Sequence, residues 1–273
     1  MCFAGAAVLG GALAAGTEVL LRRHPPGGAA RWTRINHAGR PVSLLEGPAA
    51  IIGAALGAVG GAPLIGADPA PALIATIGSG CAGVLDDLAG DGSSKGLRGH
   101  LGALRQGRVT TGVIKIVALG ASGLLAADGL RGDRVHGRRR VADAVIGGGV
   151  IAGSANLANL LDLRPGRTLK ATVIAGGWLG IRPGRSLPAA LALGVAAALL
   201  PDDLAGRTML GDGGANPLGA LVGTALVAQT GPRGRAAALA PITALTLAAE
   251  KVSFTAVIAA TPGLREIDAW GRA

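Results

Sequence analysis

The sequence predicts an all-α protein that crosses a membrane many times. Half of its 273 residues are apolar and only 15% are charged, whereas an ordinary soluble domain carries about 25% charged residues. The charged residues are gathered in short clusters between long stretches of Ala, Gly, Leu, Val and Ile. Continuous apolar stretches are typical of transmembrane helices, and they exclude an outer-membrane barrel, whose strands alternate apolar and polar residues.

Composition also excludes several other classes. The 48 glycines follow no three-residue period, so the chain is not collagen-like, and two cysteines, Cys2 and Cys81, cannot build a disulfide scaffold. The net charge of +10 would suit nucleic acid, but the chain has no Tyr, two Phe and three Trp, too few for a stacking platform. We therefore attribute the basic residues to membrane topology and anionic lipid. The expected partner is a lipid bilayer, with no nucleic acid.

Nine apolar stretches are candidate spans, each near the length of about 20 residues that a bilayer requires or somewhat shorter. They are Cys2–Leu21, Pro48–Gly66, Pro69–Leu85, Val109–Ala127, Val141–Leu160, Leu169–Ile181, Leu187–Leu200, Pro217–Thr230 and Ala236–Ile258. Arg22 and Arg23 follow the first stretch, which places the N-terminus outside and, after nine spans, the C-terminus inside. Inner loops then hold more Lys and Arg than outer loops, although the run Arg138–Arg140 falls outside.

In this topology, acidic residues from separate parts of the chain fall on the same inner side. They are Asp86, Asp87, Asp91, Asp162, Asp202, Asp203 and Asp212. Carboxylates that converge on one mouth of a bundle indicate a cation site. The alternative is that they occupy loops simply because loops are polar.

Asp86 and Asp87 end the third stretch. Adjacent carboxylates at a helix C-terminus oppose the helix dipole and repel each other, so either a cation compensates them or one carboxyl becomes a candidate proton acceptor. Asp212 lies in a Gly-rich turn before Asn216 and Pro217, which we interpret as the N-cap and first residue of the eighth span. A carboxylate beside a helix N-terminus could hold a metal ion and its phosphate. A solvated helix end and an ordinary turn are the simpler alternatives.

Three further groups carry polar chemistry. Asn156, Asn159 and Asp162 are spaced by three, on one helix arc, and could bind a nucleotide, a sugar or a metal, or else join helices by hydrogen bonds. The loop Asp91–Arg108, which includes Lys95, could bind a diphosphate or anchor the chain at the inner face. Lys115 lies within the fourth span, where a lysine is a functional candidate unless its ammonium reaches the interface.

In this order and at these helix ends, the motifs resemble the polyprenyl-phosphate N-acetylhexosamine-1-phosphate transferases. That family includes phospho-N-acetylmuramoyl-pentapeptide transferase and the UDP-N-acetylglucosamine:undecaprenyl-phosphate transferases. The resemblance covers roughly Met1 to Ser253. The matching segments are Leu85-Asp86-Asp87, Ser94-Lys95-Gly96-Leu97, Asn156-x-x-Asn159-x-x-Asp162, Leu210-Gly211-Asp212-x-Gly214 with Leu218-Gly219, and, more weakly, Glu250-x-Val252-Ser253.

The resemblance implies transfer of a sugar-1-phosphate from a UDP-linked amino sugar to polyprenyl phosphate, with release of UMP, at the cytoplasmic face of a bacterial plasma membrane. It implies Mg²⁺ bound by Asp212, and Asp86 and Asp87 as catalytic residues. Asn159 and Asp162 match the stretch that shapes the nucleotide and metal pocket, and Lys95, Lys115 and Asn156 complete the expected substrate-binding set. The protein could also form a homodimer.

Two departures from the family pattern favour a second hypothesis. Pro165 stands where the family has a second Asp, and the family's histidine-rich motif has no counterpart here. The chain could therefore be a relative that binds a lipid phosphate or UDP-sugar as a scaffold for envelope proteins. Transport is a third class, favoured by Lys115, but the sequence has no visible internal repeat.

The chain divides into a transmembrane domain over residues 1–260 and a short C-terminal segment over residues 261–273. In that segment Leu264, Ile267 and Trp270 recur every three residues, while Arg265, Glu266 and Asp268 fall on other sides. This pattern predicts a helix over Leu264–Trp270 that lies in the membrane interface.

Overall fold

The computed structural model describes residues 2–36, 38–90, 96–130, 137–182 and 186–272. The chain is 78% helical, which confirms the all-α class. The longer helices are α1 (Cys2–Arg23), α3 (Glu46–Ile65), α4 (Ala70–Ala89), α6 (Thr111–Gly129), α7 (Arg138–Leu161), α8 (Arg167–Ile181), α9 (Leu187–Leu204), α10 (Gly211–Ala228) and α11 (Pro232–Ala249). The shorter helices are α2 (Ala29–Trp32), α5 (Gly96–Arg105), α12 (Phe254–Ala260) and α13 (Leu264–Ala269).

Within the described ranges, six helices are long and apolar enough to cross a membrane, namely α1, α3, α4, α6, α7 and α9. Helices α11 and α12 raise this number to seven if they are counted together as one broken span. These lengths and compositions are those of a multi-pass membrane protein. The predicted sixth and eighth stretches form α8 and α10, which are not among the six.

The predicted span over Ala236–Ile258 is not one continuous helix. Helix α11 ends at Ala249, α12 starts at Phe254, and the two are bent by 101°. The break contains Glu250 and Lys251, and Ser253 then starts the new helix, because its hydroxyl accepts a hydrogen bond from the Ala256 amide at 3.3 Å. Charged residues followed by a good N-cap favour ending one helix and beginning another.

Helix α10 lies at the centre of the bundle and packs against α3, α4, α7, α8 and α9. Leu218 and Leu221 on α10 are completely buried, and most of their neighbours in the core are alanines. Small residues bring the helix backbones close together. At Gly194 of α9, for example, a Cβ atom would lie 1.8 Å from the Ala7 carbonyl oxygen of α1, so only glycine fits.

A small hairpin, which the sequence did not predict, covers one end of the bundle. Strands β1 (Thr33–Ile35) and β2 (Pro41–Ser43) pair antiparallel, with Thr33 opposite Ser43. Ser43 also forms a bridge with Thr208, and its carbonyl accepts a hydrogen bond from the Met209 amide at 2.8 Å. The hairpin therefore fixes the segment that leads into α10, at the end where α4 finishes.

Candidate active site at one end of the bundle

A lysine joins two of the predicted acidic residues. The Lys115 ammonium on α6 donates to Asp86 Oδ2 on α4 at 2.6 Å and also to Asp212 Oδ2 on α10. The three side chains are 16%, 19% and 22% exposed in that order, so they are sheltered but still reachable. We call Asp86, Asp87, Lys115 and Asp212 the acid–lysine cluster. Three helices thus bring one ammonium and the carboxylates together.

Asp87 has different partners from its neighbour Asp86. Its Oδ1 accepts a hydrogen bond from the Asp212 amide at 3.1 Å, and its Oδ2 accepts one from the Gly213 amide at 2.8 Å. These amides belong to the first turn of α10, where backbone N–H groups lack partners within the helix and the helix dipole is positive. Asp87 therefore caps α10 from another helix. The mutual repulsion expected of the pair is therefore reduced in two ways, by the Lys115 ammonium at Asp86 and by the backbone amides of α10 at Asp87.

Asp212 lies inside α10, and the prediction that it precedes the helix is wrong. The helix starts at Gly211, which has a φ of 62°, so Asn216 is an interior residue and Pro217 lies within the helix. The Asp87 carboxylate supplies the cap that the sequence seemed to place at Asn216. Asn216 is instead fully buried, and its amide has no hydrogen-bond partner within the described ranges.

The close contact of α4 with α10 depends on Gly83. A Cβ atom at this position would lie 2.2 Å from the Asp212 carbonyl oxygen and 2.8 Å from the Gly213 amide nitrogen. Neither backbone atom can move without moving the first turn of α10. Gly83 therefore belongs to the site by packing, one turn before Asp86 and Asp87.

The polar residues of α7 do not act as one set. Asp162 is the C-cap of α7, with φ −75° and ψ 48°, so it leaves the helical arc predicted for Asn156, Asn159 and Asp162. The Asn156 side chain is 3.4 Å from the Thr246 hydroxyl of α11, which is the interhelical hydrogen bond of the alternative interpretation. Asn159 is partly buried, and its carbonyl accepts from the Asp162 amide at 3.0 Å.

Asp162 lines a cavity of about 180 Å³ with a mixed apolar and polar wall, which we call the polar cavity because Asn36, Arg164, Asp203 and Thr208 also line it, beside Pro165. Burial raises the pKa of Asp162 well above its usual range, and the negative charges of Asp203, Asp212 and Asp87 raise it further. Asp162 is therefore electrostatically coupled to the acid–lysine cluster. Four parts of the chain, the hairpin, the end of α7, the end of α9 and the loop before α10, meet at this cavity.

Arg34 is a site residue that sequence reasoning missed. Its guanidinium on β1 donates to the Asp87 carbonyl oxygen at 2.7 Å and so holds the C-terminal end of α4. Basic groups near the last carbonyls of a helix are favourable because of the helix dipole. The sequence signal for this contact was a basic residue, but the position of that residue depends on a hairpin that was not predicted.

Two of the residues singled out in the sequence, Lys95 and Asp91, lie outside the described residues.

A second, apolar cavity of about 360 Å³ opens between α7, α8 and the C-terminal helices. Its walls include Leu157, Leu161, Ile174, Phe254, Val257 and Ile258. Leu264 and Ile267 of α13 also line it. The bend between α11 and α12 places α12 and α13 along its side.

Helix α13 is present as predicted, and it is tied to α8 by a buried ion pair. The Arg167 guanidinium donates to both carboxylate oxygens of Asp268, at 2.8 and 3.0 Å. Lys170 donates to the carbonyls of Ile267, Asp268 and Trp270 at 2.7 to 3.0 Å. Burial opposes ionisation of Asp268, but the guanidinium groups of Arg167 and Arg272 win and lower its pKa to about 2. We call these contacts the C-terminal latch.

The described part of the chain contains no group of three or more His, Cys, Asp or Glu side chains arranged to hold a metal ion. Asp86 and Asp212 nevertheless point one oxygen each at the same ammonium. Mg²⁺ commonly takes only one or two protein carboxylates and keeps water or substrate phosphate on its other positions. The carboxylate pair therefore fits a magnesium ion bound with substrate.

Neither models of known protein families nor curated proteins give a match to this chain.

Proposed function

We propose that this protein transfers a sugar-1-phosphate from a UDP-linked N-acetylhexosamine to polyprenyl phosphate and releases UMP. This reaction is the one implied by the resemblance of its motifs to the transferase family. The observation that carries the proposal is the acid–lysine cluster. Asp86, Asp87 and Asp212 are the residues that the motifs single out, and they come together from two helices that are distant in sequence.

The proposal includes nine spans, with the N-terminus outside and the site at the cytoplasmic face of a bacterial plasma membrane. In this arrangement α8 and α10 are short spans, and α11 with α12 forms a broken one. Support comes from the common end of the bundle at which the acid–lysine cluster, the hairpin and the polar cavity lie. Broken and short helices at membrane depth are tolerated where neighbouring protein surrounds them.

Asp212 and Asp86 would hold Mg²⁺ together with the diphosphate of the nucleotide sugar. When bound, the ion neutralises phosphate charge and polarises the phosphorus–oxygen bonds. Lys115 lies between the same two carboxylates and supplies a second positive charge beside the diphosphate. Asp87 keeps the first turn of α10 in place, so that Asp212 and the helix N-terminus face the substrate together.

The two cavities suit the two substrates. The polar cavity beside Asp162 offers amide, carboxyl and guanidinium groups for the nucleotide. The apolar cavity between α7, α8 and α12 offers walls for the isoprenoid chain of the acceptor. In the overall reaction an oxygen of the lipid phosphate becomes bonded to the β-phosphorus, the bond from that phosphorus to the bridging oxygen breaks, and UMP leaves with that oxygen.

The experiment is a UMP-release assay. Protein purified in detergent is mixed with polyprenyl phosphate, Mg²⁺ and each of a panel of UDP-amino sugars, and UMP is measured by chromatography. We expect UMP release that needs all three components with at least one sugar. A heat-inactivated sample and a sample without lipid phosphate are the controls.

A scaffold that binds the same ligands is the second candidate function. It is favoured by Pro165, which lines the polar cavity at the position where the resemblance leads us to expect a second carboxylate. Binding of a UDP-sugar or of polyprenyl phosphate without any UMP release would support the scaffold over the enzyme.

A further inference from the structure

A carboxyl group at the start of α3 is buried without a partner. Glu46 has 0% exposure, and neither of its carboxyl oxygens accepts a hydrogen bond from any residue that the structure describes. The buried Thr208 hydroxyl lies beside the Glu46 carboxyl and favours its ionised form, although it makes no hydrogen bond of good geometry within the described residues. Buried charges are normally paired or coordinated, because an isolated one costs several kcal/mol or more. Glu46 is therefore a group whose partner has to be identified.

The charged groups around Glu46 are also carboxyls, so they add to the cost of ionising it. The charged groups that act on it most strongly are the carboxyls of Asp203, Glu18 and Asp162. Asp203 is itself only 3% exposed. Carboxyl groups gathered in this way repel one another when they are ionised. A positive charge placed among them would remove both the repulsion and the unsatisfied acceptors.

We propose that Glu46, Asp203 and Thr208 form a buried site for one monovalent cation, distinct from the acid–lysine cluster. The oxygen ligands would be the Glu46 carboxylate, Asp203 Oδ1 and the Thr208 hydroxyl. Oxygen donors of this kind suit hard cations. Asp203 and Thr208 also line the polar cavity, which gives an ion a route to the site.

The local charges favour a monovalent ion over a divalent one. Asp203 Oδ2 already accepts from the Gly166 amide at 2.6 Å, and Arg272 and Lys170 attract its charge. Glu18 lies 3.6 Å from Arg22. The Glu46 carboxylate, with no basic group among the charges that act on it most strongly, is left to be balanced by the cation.

The site would link three elements that position Asp212. Glu46 begins α3, Asp203 is close to the end of α9, and Thr208 is held against Ser43 just before α10. Gly47, the next residue, packs so closely on α10 that a Cβ there would lie 2.8 Å from the Leu210 carbonyl oxygen. A cation at Glu46 would therefore stabilise the end of the bundle that carries the candidate active site. This inference does not depend on transferase activity.

The test uses sodium as the probe. Its two readouts are sodium binding and thermal unfolding. Full-length protein in detergent is unfolded thermally in sodium, lithium or potassium chloride, with N-methylglucamine chloride keeping the ionic strength constant. Binding of radioactive sodium is measured on the same preparations. We expect saturable binding, and a folding equilibrium constant that rises about tenfold for each tenfold increase of sodium above its Kd.

Glu46→Gln should abolish sodium binding and the dependence of unfolding on sodium. Glu266→Gln, the same substitution at an exposed glutamate of α13, should keep both. Thr208→Ala, which removes one ligand, should weaken sodium binding. This variant tests the proposal if Glu46→Gln does not fold. The proposal is overturned if the wild type unfolds at the same temperature in all alkali and N-methylglucamine chlorides, since a proton then satisfies Glu46. Unchanged sodium binding in both variants also overturns it.

Discussion

Adjacent residues of identical chemistry have different surroundings in this site. Asp86 contacts the Lys115 ammonium, whereas Asp87 accepts hydrogen bonds from two backbone amides of α10. In the proposed reaction, the Asp86 carboxylate would face the bound cation and the diphosphate. The Asp87 carboxylate determines where Asp212 sits. A single substitution at either position should reveal this division.

We predict that Asp87→Asn lowers kcat about a hundredfold while the UDP-sugar Kd changes little. The variant loses the negative charge at the N-terminus of α10 and one acceptor, so Asp212 still reaches Mg²⁺ but is held less precisely at the moment of reaction, and a misplacement of about 1 Å costs roughly this factor. Asp86→Asn should lower kcat as well, because Lys115 loses a partner. Kinetics and equilibrium binding are measured for each variant. Near-normal kcat in both would make the pair a structural helix end.

Lys115 balances two carboxylates, and its removal should make the protein depend on magnesium. In Lys115→Met, Asp86 and Asp212 face each other without a cation, so we expect unfolding to become easier by on the order of 3 kcal/mol. Millimolar Mg²⁺ should restore part of this loss in the variant and change the wild type less. Thermal unfolding with Mg²⁺ and with chelator measures both effects. If the unfolding temperature of the variant does not depend on Mg²⁺, these two carboxylates do not share a cation.

At the level of elements, the C-terminal latch joins α13 to α8 beside the apolar cavity. Arg167 and Lys170 are 5% and 6% exposed, so their charges are satisfied mainly by Asp268 and by the last carbonyls of α13. Leu264, Ile267 and Trp270 are exposed by 48%, 50% and 69%, and the first two line the apolar cavity. An exposed apolar side on a helix held at the end of the bundle agrees with the predicted interfacial position, which remains a prediction.

We predict that Asp268→Asn lowers the free energy of local opening of α13 by on the order of 3 kcal/mol, because it leaves buried basic groups unpaired. Hydrogen exchange of the α13 amides measures this change. The control is Asp68→Asn, which changes an exposed aspartate just before the start of α4.

The pH dependence of the latch follows from the Asp268 pKa of about 2, which lies below the ordinary aspartate value of about 4. The latch is therefore fully stabilising above about pH 4 and is lost as the pH falls toward 2. A difference between wild type and variant that disappears already near pH 6 would contradict the ion pair.

Hydropathy predicted most of the helices, because burial in lipid or in the bundle requires long apolar stretches whatever their neighbours are. The start of α10 could not be predicted, since its cap is the Asp87 carboxylate from 125 residues away. The bridge between Ser43 and Thr208 also joins segments that are distant in sequence. By contrast, the bend after α11 left a local signal in Glu250, Lys251 and Ser253. The local chemistry of Asp86, Asp87 and Asp212 indicated the candidate site, whereas its geometry depends on tertiary contacts.

At the scale of the whole molecule, the ends of several helices meet where the charges lie. The C-terminal end of α4, the N-terminal ends of α6 and α10 and the C-cap of α7 all contribute to one region. The rest of the bundle is packed from small apolar residues around α10. This division, an apolar body with one polar end, is what an enzyme needs if it joins a water-soluble nucleotide sugar to a membrane lipid.

The most direct test compares UMP release by the wild type, Asp212→Asn and Asp68→Asn under identical conditions. Each protein is given polyprenyl phosphate, Mg²⁺ and the UDP-amino sugar panel, and UDP-sugar binding is measured in parallel with and without Mg²⁺. The account predicts lipid-dependent UMP release by the wild type and by Asp68→Asn, with neither turnover nor magnesium-dependent binding in Asp212→Asn. Full turnover in Asp212→Asn, or no UMP from the wild type with any sugar of the panel, would contradict it.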